Sequence, residues 1–255
     1  MTFHELSERT VLITGVSGAI GSRLAATFGS HGSRVIGTYR HGAEAAERAI
    51  SGIPDDRGSL IRAKLDDAEA ARQLWQQANA VADVDTLVVN AAALVPTPLT
   101  GSDSTAWDAG WDESLRVNVV GAATLMREAA IAFAAKGFGS IIIISSWAGQ
   151  QGSRIADLGA YAASKAAIRN FGQTLARAYA KEGVRVYTIA PGVVDAGMGT
   201  ADLEPDAVRT VAQGLAMGQH VDAQEIAELA AFLATDRAPS LTGSTLDLNG
   251  ASYLR

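Results

Sequence analysis

Apolar runs alternate with helix-like stretches along the whole chain, and this alternation restricts the fold more than any other feature. The predicted strands are short and continuous, at residues 10–13, 34–39, 86–90, 140–145, 184–190 and 244–248. Helical patterns lie between them, at residues 22–31, 43–50, 67–80, 104–136, 160–181 and 223–234. Continuous apolar strands separated by helices are typical of a parallel sheet that is covered on both faces. No linker-like break interrupts the pattern, so we expect one doubly wound α/β domain over residues 1–255, with α/β/α layers.

A glycine-rich turn connects the first predicted strand to the first predicted helix. It reads Thr-Gly-Val-Ser-Gly-Ala-Ile-Gly over residues 14–21. Glycines in such a turn let the backbone approach a pyrophosphate, which the free N–H groups and dipole of the following helix stabilise. A tight turn without a ligand is the alternative, but the strand–turn–helix–strand context favours a dinucleotide site of the Rossmann type. The residues expected to contact the cofactor here are Gly15, Ser17, Gly18, Ile20 and Gly21.

Tyr161 and Lys165 lie four residues apart in an alanine-rich, proline-free segment that is predicted to be helical. This spacing places both side chains on one face of the helix. A phenol with a pKa near 10 needs a shift of roughly 3 units, or ~4 kcal/mol, to carry a proton at neutral pH. A cation at ~4 Å supplies about 1 kcal/mol in water, but about 4 kcal/mol at an effective dielectric constant near 20. The pair therefore indicates chemistry only in a sheltered cleft, and on an open surface it would be accidental.

Several motifs together resemble those of the short-chain dehydrogenase/reductase family. They occur in that family's order: the glycine turn, Asn90 with Ala91, Asn118, Ser146, Tyr161 with Lys165, and Pro191 with Gly192. The length is closest to the compact branch, which includes the 3-oxoacyl-carrier-protein reductases and many ketone or alcohol oxidoreductases. The resemblance implies a Rossmann-type fold. It also implies an NAD(P)(H)-dependent oxidoreductase that transfers hydride between nicotinamide and a ketone or secondary alcohol.

The same resemblance assigns roles to four candidate catalytic residues. Tyr161 would protonate the carbonyl oxygen during reduction and act as the base in the reverse direction. Lys165 would lower the pKa of Tyr161 and hydrogen-bond the nicotinamide ribose, while Ser146 would donate to the substrate oxygen as negative charge develops there. Asn118 would hold a backbone kink and a water that links Lys165 to solvent, or else would simply pack against the sheet. The neighbouring Ser145 is expected to be structural.

The glycine turn departs from the compact branch at one position. Ala19 stands where that branch usually keeps its middle glycine, and the resulting glycine spacing is similar to that of the extended branch. An epimerase-like or dehydratase-like enzyme with recycled NAD is therefore one alternative, although the chain lacks the length for an extended substrate domain. A non-catalytic dinucleotide-binding sensor is another. The presence of all four candidate catalytic residues favours an enzyme over a sensor.

Further cofactor contacts follow from the resemblance. Lys64 occupies a position that is usually held by an acid contacting the adenine, and Leu65 can still offer its backbone there. A small residue after Asn90 allows close approach of the adenosine ribose. Beyond the glycine turn, the expected cofactor-binding residues are Tyr39, Arg40, Lys64, Leu65, Asn90, Ala91, Tyr161, Lys165, Pro191, Gly192 and Val194.

The end of the second predicted strand bears on the choice between NAD and NADP. A carboxylate at this position would accept hydrogen bonds from the adenosine hydroxyls and repel a 2′-phosphate. Tyr39 takes the acid position instead, and Arg40 follows it. Because an arginine fork pairs well with phosphate, we expect NADP(H) as the cofactor. NAD(H) is the alternative if Arg40 is simply solvated.

The substrate is expected to lie beyond the carboxyl ends of the strands, under a mobile lid formed by residues 195–220. Trp147, which follows Ser146 directly, and Met198 in the lid are the candidate substrate contacts. Apolar side chains in the lid favour a largely apolar ketone or secondary alcohol of small to medium size. An acyl-carrier-protein substrate is disfavoured because the lid offers only Arg209 as a basic docking residue. An extra loop at residues 150–154 either faces the substrate or is solvated.

Composition and charge restrict the partners and the location. A net charge of −6 gives no electrostatic footprint for nucleic acid. Cysteine is absent, which excludes disulfides, and the four histidines are too scattered to predict a metal site. The first residues lack the apolar core of a signal peptide and no run approaches ~20 apolar residues, so we expect a cytoplasmic protein without a membrane partner. Surplus apolar surface on the predicted helices at 104–136 and 160–181 favours a homo-oligomer, a tetramer or a dimer.

Overall fold

Seven strands form one sheet in the computed structural model of the protein, which describes residues 4–100, 104–195 and 204–254. In chain order they are β1 (Thr10–Ile13), β2 (Arg34–Tyr39), β3 (Gly58–Arg62), β4 (Thr86–Val89), β5 (Gly139–Ile144), β6 (Val184–Pro191) and β7 (Thr245–Leu248). All neighbours are parallel, in the spatial order β3-β2-β1-β4-β5-β6-β7. The order reverses between β1 and β4, and ligands of open α/β sheets bind at such a switch point.

Helices cover both faces of the sheet, which confirms the predicted three-layer α/β/α fold. They are α1 (Ala19–Ser30), α2 (Ala43–Ile50), α3 (Ala68–Val81), α4 (Ser104–Leu115), α5 (Ala122–Lys136), α6 (Ala148–Gln151), α7 (Gly159–Tyr179), α8 (Pro205–Gln213) and α9 (Ala223–Ala234). The helices α1, α2 and α9 pack on one face, and α3, α5 and α7 pack on the other.

Each face of the sheet has its own apolar core. Ile13 and Ile142 point into the core that contains Phe28 of α1, while their chain neighbours Leu12 and Ile143 point into the opposite core. All of these side chains are fully buried. Because successive side chains of a strand face opposite sides and both sides are covered, the central strands are apolar at every position. This is why the sequence showed continuous runs rather than an alternating pattern.

The structure differs from the sequence prediction in three places. The strand β3 was not predicted, because it is a half-exposed edge strand that pairs only with β2 among the described strands and includes Ser59 and Arg62. The helix predicted over residues 104–136 contains a π-helical turn, Arg116–Gly121, between α4 and α5. The helix α8 lies inside the predicted lid, whose residues 196–203 fall outside the described part of the chain.

The helical stretch Ser104–Lys136 is long and apolar enough, by composition alone, to cross a membrane. Its apolar residues include Leu125, Met126, Ala129 and Phe133, and all four are buried in the core beneath the sheet. Helices at the core of a globular domain reach this hydropathy for the same reason. Packing against the sheet therefore accounts for the buried apolar residues of this stretch.

Candidate active site

Two adjoining cavities lie at the carboxyl ends of the central strands. The first, of about 380 Å³, lies between the glycine turn and the ends of β2 and β4. The second, of about 420 Å³, lies beside the ends of β5 and β6. Ile20 lines both of them, so the two cavities meet at the first turn of α1. Each is large enough for part of a small organic ligand.

The glycine turn forms a cradle at the first cavity. Gly15 has a φ of +77°, which strongly favours glycine. At Gly21 a Cβ atom would lie 2.1 Å from the carbonyl oxygen of Gly15, so a larger residue would push the turn apart. Gly18 immediately precedes α1, and no side chain caps that helix end. The free N–H groups of the first helical turn and the lack of side chains fit the pyrophosphate of a dinucleotide.

A hydrogen-bond network ties the glycine turn to the end of β4. The hydroxyl oxygen of Thr14 accepts from the backbone N–H groups of Asn90 and Ala91, both at 2.9 Å. The Nδ2 of Asn90 donates to the carbonyl oxygens of Thr14 at 2.9 Å and Gly15 at 3.1 Å. Asn90 was predicted to contact the cofactor directly, and here it also braces the cradle. Thr14 was not predicted as a site residue, although it stands next to the first glycine of the motif.

Tyr39 and Arg40 line the first cavity, as expected for residues that follow the second strand. The Nη1 of Arg40 donates to Oε1 of Glu113 on α4 at 2.8 Å. A carboxylate therefore already pairs with this guanidinium, and an anionic ligand would have to compete with it. Glu113 was not predicted, and no local sequence signal marks it.

The two neighbouring residues that were predicted to contact the adenine differ in their position relative to the first cavity. Leu65 lines the first cavity. Lys64 is not among the residues that line it; its exposed ammonium pairs with the carboxylate of Asp66 instead. The hydrogen bond from Lys64 lowers the pKa of Asp66. The Lys64 side chain thus has a structural partner of its own.

Ser146, Tyr161 and Lys165 come together beside the second cavity. Ser146 and Tyr161 line it, from the end of β5 and the first turn of α7. The Nζ of Lys165 lies 5.7 Å from the ring centre of Tyr161 on the same helix face. This ammonium is buried and donates to the carbonyl oxygen of Ile144 at 2.8 Å. The pair is therefore sheltered from solvent. The sequence predicted that the two residues could take part in catalysis only under this condition.

Burial controls the acidity of both groups. It raises the pKa of Tyr161 to about 12, and a hydrogen bond with Ser146 offsets only part of this rise. Burial also lowers the pKa of Lys165 to about 8. The resemblance implied that the ammonium of Lys165 would lower the pKa of the Tyr161 phenol. In the protein without a ligand, burial instead raises this pKa. Tyr161 is therefore protonated at neutral pH, and burial makes it a weaker acid than a free phenol.

Asn118 lies in the π-helical turn between α4 and α5 and is fully engaged. Its Nδ2 donates to the carbonyl oxygen of Ala93 at 2.8 Å and to the hydroxyl of Ser164 at 2.9 Å. Its Oδ1 accepts from the backbone N–H of Ala93 at 2.7 Å. The side chain thus links the segment after β4 to α7, next to Lys165. Ser164 is a site residue that the sequence reasoning missed.

The remaining predicted residues fall at the second cavity or outside the described chain. Trp147 lines this cavity, as do Pro191, Gly192 and Val194, which were predicted to contact the cofactor. The hydroxyl of Ser145 donates to the carbonyl oxygen of Lys165 at 3.0 Å, a structural contact of the kind expected for it. Met198 lies outside the described residues.

Comparisons with known proteins match almost the whole chain. A family model described as enoyl-(acyl carrier protein) reductase matches residues 15–250. The 3-oxoacyl-[acyl-carrier-protein] reductase of Escherichia coli (strain K12) is 32% identical over 247 residues, covering 96% of this chain and 98% of that protein. The cis-4-hydroxycyclohexanecarboxylate dehydrogenase of Sinomonas cyclohexanicum is 31% identical, with 96% of each chain covered. A crystal structure of 3-oxoacyl (acyl-carrier-protein) reductase from Agrobacterium tumefaciens C58 with NADP bound has a TM-score of 0.86 and 29% identity, over 97% of this chain and 95% of that one.

Proposed function

Because the chain belongs to the short-chain dehydrogenase/reductase family, we propose that it interconverts a ketone and a secondary alcohol with a nicotinamide cofactor. One observation carries the proposal. Ser146 and Tyr161 line a cavity that adjoins the glycine cradle, and Lys165 lies beside Tyr161, so a dinucleotide seated in the cradle would reach the same space as a substrate.

Side chains of the protein would supply the proton and orient the substrate. A bound nicotinamide would supply or accept the hydride. Tyr161 is protonated at neutral pH and would donate its proton to the carbonyl oxygen during reduction. Ser146 would donate a hydrogen bond to the same oxygen as charge develops on it. Lys165, with a pKa of about 8, would carry its positive charge at neutral pH, and at 5.7 Å from the ring centre of Tyr161 it would assist loss of the tyrosine proton.

The first test concerns turnover. Tyr161→Phe should lower kcat/KM for ketone reduction by about 10²- to 10⁴-fold, because it removes the proton donor. Binding of the cofactor should persist, since the glycine cradle is untouched. Tyr179→Phe, on the same helix but away from both cavities, is the matched control and should retain activity.

Two alternatives predict different results in this test. A dinucleotide sensor would bind the cofactor and turn over no carbonyl compound at all. An epimerase-like or dehydratase-like enzyme would retain NAD through purification and show no net change in cofactor absorbance.

We further propose that NADP(H) is preferred to NAD(H). Arg40 at the end of β2 supports this, because it is the residue at the first cavity best placed to meet a 2′-phosphate. The relative from Agrobacterium tumefaciens was solved with NADP bound. Glu113 would have to release or share the guanidinium when a phosphate arrives.

Arg40→Ala should lower kcat/KM with NADPH by about 10- to 100-fold, the range expected for losing a charge-assisted hydrogen bond. The value with NADH should change by less than about 3-fold, because that cofactor has no 2′-phosphate. Glu113→Gln is the matched control: it frees Arg40 and should leave the NADPH preference intact or increase it. A wild-type protein that prefers NADH would contradict the assignment.

The second cavity supports a small-molecule carbonyl or alcohol as the substrate. Thr210, Val211 and Leu215 line it from α8 and the residues that follow, which is consistent with a lid over residues 195–220. A cytoplasmic location and a homo-oligomer remain proposals. The oligomer is supported by apolar side chains on the outer face of α5 and the π-helical turn, among them Val120 and Ile131, which are 44% and 41% exposed.

A further inference from the structure

Arg154 is a prominent group at the second cavity that the proposed reaction does not use. It lines the cavity together with Ser146 and Tyr161. Most other side chains there are apolar, among them Leu94, Ile155, Leu158, Val193, Val211 and Leu215. In a largely apolar cavity, the few polar groups decide how a ligand is oriented. A single guanidinium among these side chains therefore favours one chemical class of ligand.

The guanidinium is held from two sides. Its central carbon lies 5.1 Å from the ring centre of Trp147, within the range of a cation–π contact. Its Nη2 donates to the carbonyl oxygen of Ser252 at 3.2 Å. Trp147 follows Ser146 directly in the chain, and both line the cavity together with Arg154. The two contacts orient the exposed Arg154 side chain beside Trp147 at this cavity.

Over residues 4–100, 104–195 and 204–254, no carboxylate lies within ion-pair distance of Arg154. Arg40, Arg116, Arg209 and Arg237 each pair with an acidic side chain, whereas Arg177, like Arg154, does not among the described residues. A planar guanidinium presents parallel N–H donors that match the two oxygens of a carboxylate.

We propose that Arg154 binds a carboxylate of the substrate, so that the substrate class is a ketone or secondary alcohol carrying a carboxylate several bonds from the carbonyl carbon. The inference rests on the proposed oxidoreductase function and adds the substrate class to it. It also adds a charged group to the largely apolar substrate that the sequence predicted. The apolar walls would contact the hydrocarbon between the two polar ends, and the cavity volume of about 420 Å³ suits a small keto acid.

The first experiment compares keto acids with their uncharged esters. The probes are 4-oxopentanoate, 5-oxohexanoate and 4-oxocyclohexanecarboxylate, each paired with its methyl ester, with NADPH as the reductant. Wild-type kcat/KM should favour at least one acid over its ester by about 10-fold or more. Arg154→Gln should remove this preference through a higher KM for the acid and leave the ester within about 3-fold. Arg154→Lys keeps the charge without the fork and should fall in between, while Arg177→Gln, an exposed arginine of α7 outside both cavities, should match the wild type.

The second experiment measures binding without turnover. With NADP present, cyclohexanecarboxylate should bind to the wild type more tightly than cyclohexanecarboxamide, as followed by calorimetry, and Arg154→Gln should abolish the difference. Carboxylate binding that depends on Arg154, in a protein that reduces no ketone, would uphold the anion site and overturn the proposed function. Ketone reduction in which acids and esters are equivalent and Arg154→Gln has no selective effect would overturn the inference alone. A preference for 3-oxoacyl thioesters over every free acid would overturn it as well.

Discussion

Lys165 carries a positive charge in a place that disfavours it. The side chain is 5% exposed, and its one hydrogen bond among the described residues goes to the carbonyl oxygen of Ile144. A pKa of about 8 in place of the ordinary 10.5 corresponds to roughly 3 kcal/mol that the charged lysine costs the folded state at neutral pH. The group proposed to assist proton transfer is therefore also a source of instability.

Lys165→Met should accordingly stabilise the protein at pH 7 by about 1–3 kcal/mol while abolishing activity. The sign follows from proton binding: between pH 8 and 10.5 the unfolded wild type holds more protons at this lysine than the folded one, so wild-type stability rises with pH there. The difference in the free energy of unfolding between the variant and the wild type should thus decrease between pH 8 and 10.5. Urea unfolding of both proteins at pH 7, 9 and 10.5, without added cofactor, tests this. A gap that stays constant or widens would show that burial of the charge is not the cause.

Individual site residues differ in how far they could be predicted from the sequence. Tyr161 and Lys165 were predictable because a helix brings residues four apart onto one face. The contacts of Arg40 with Glu113 and of Asn118 with Ser164 join residues 73 and 46 positions apart, and no local pattern encodes such pairs. The pKa of the phenol could not be predicted either, because its direction depends on how completely the folded chain excludes water.

At the scale of elements, the glycine turn shows how backbone packing selects residues. Gly21 packs directly on the carbonyl of Gly15, with no room for a Cβ atom, whereas a Cβ at Gly18 would meet its nearest atom at 3.7 Å. In the sequence, Gly18 and Gly21 are simply two glycines of the same motif. Only Gly21 is required by contact within the protein, so the role of Gly18 would have to be toward a ligand.

Gly21→Ala should weaken NADPH binding by about 10-fold or more and lower the melting temperature, because the atom it meets is backbone that cannot move aside cheaply. Gly18→Ala is the matched control and should leave the melting temperature unchanged. Fluorescence titration with NADPH and thermal unfolding measure the two effects. Equal melting temperatures for Gly21→Ala and wild type would contradict the tight packing of this turn.

The strands could be predicted from the sequence where their side chains are completely buried, but not where burial is partial. The central strands β1, β4, β5 and β6 have fully or almost fully buried patterns, and the predicted bounds lie within one residue of those observed. The edge strand β3 lacks that signal because solvent reaches it along its whole length. The π-helical turn inserts into an otherwise regular helical pattern, and the bonds that Asn118 makes from this turn join segments far apart in the sequence.

At the scale of the whole molecule, the outer face of α5 and the π-helical turn is more apolar than a solvated surface needs. Val120 lies in the π-helical turn and Ile131 in α5, and both are exposed in the single chain. Exposed apolar faces of this kind are typical of contacts between subunits.

Wild-type protein should therefore run as a species larger than 26.4 kDa in light scattering at micromolar concentration. Replacing Val120 and Ile131 together by Glu should shift it toward smaller species, because charges would be buried in the contact. Ala26→Glu, an exposed position of α1 on the opposite side of the sheet, is the control and should leave the mass unchanged. A wild type that is strictly ~26 kDa would refute the homo-oligomer.

The switch point in the strand order also separates the two parts of the site: the N-terminal half of the chain contributes one part, and the C-terminal half contributes the other. The cradle and Arg40 precede Leu94, while the reacting groups and Arg154 all follow Asn118. A crossover made by recombination after β4 would thus give a hybrid that inherits its cofactor preference from one parent and its substrate preference from the other. Contacts that span this junction include the pairing of β4 with β5 and the packing of α1 on α9, and at the site the contacts of Arg40 with Glu113 and of Ala93 with Asn118. Parents that agree in this packing and at those four positions are the ones we expect to exchange halves with both preferences intact.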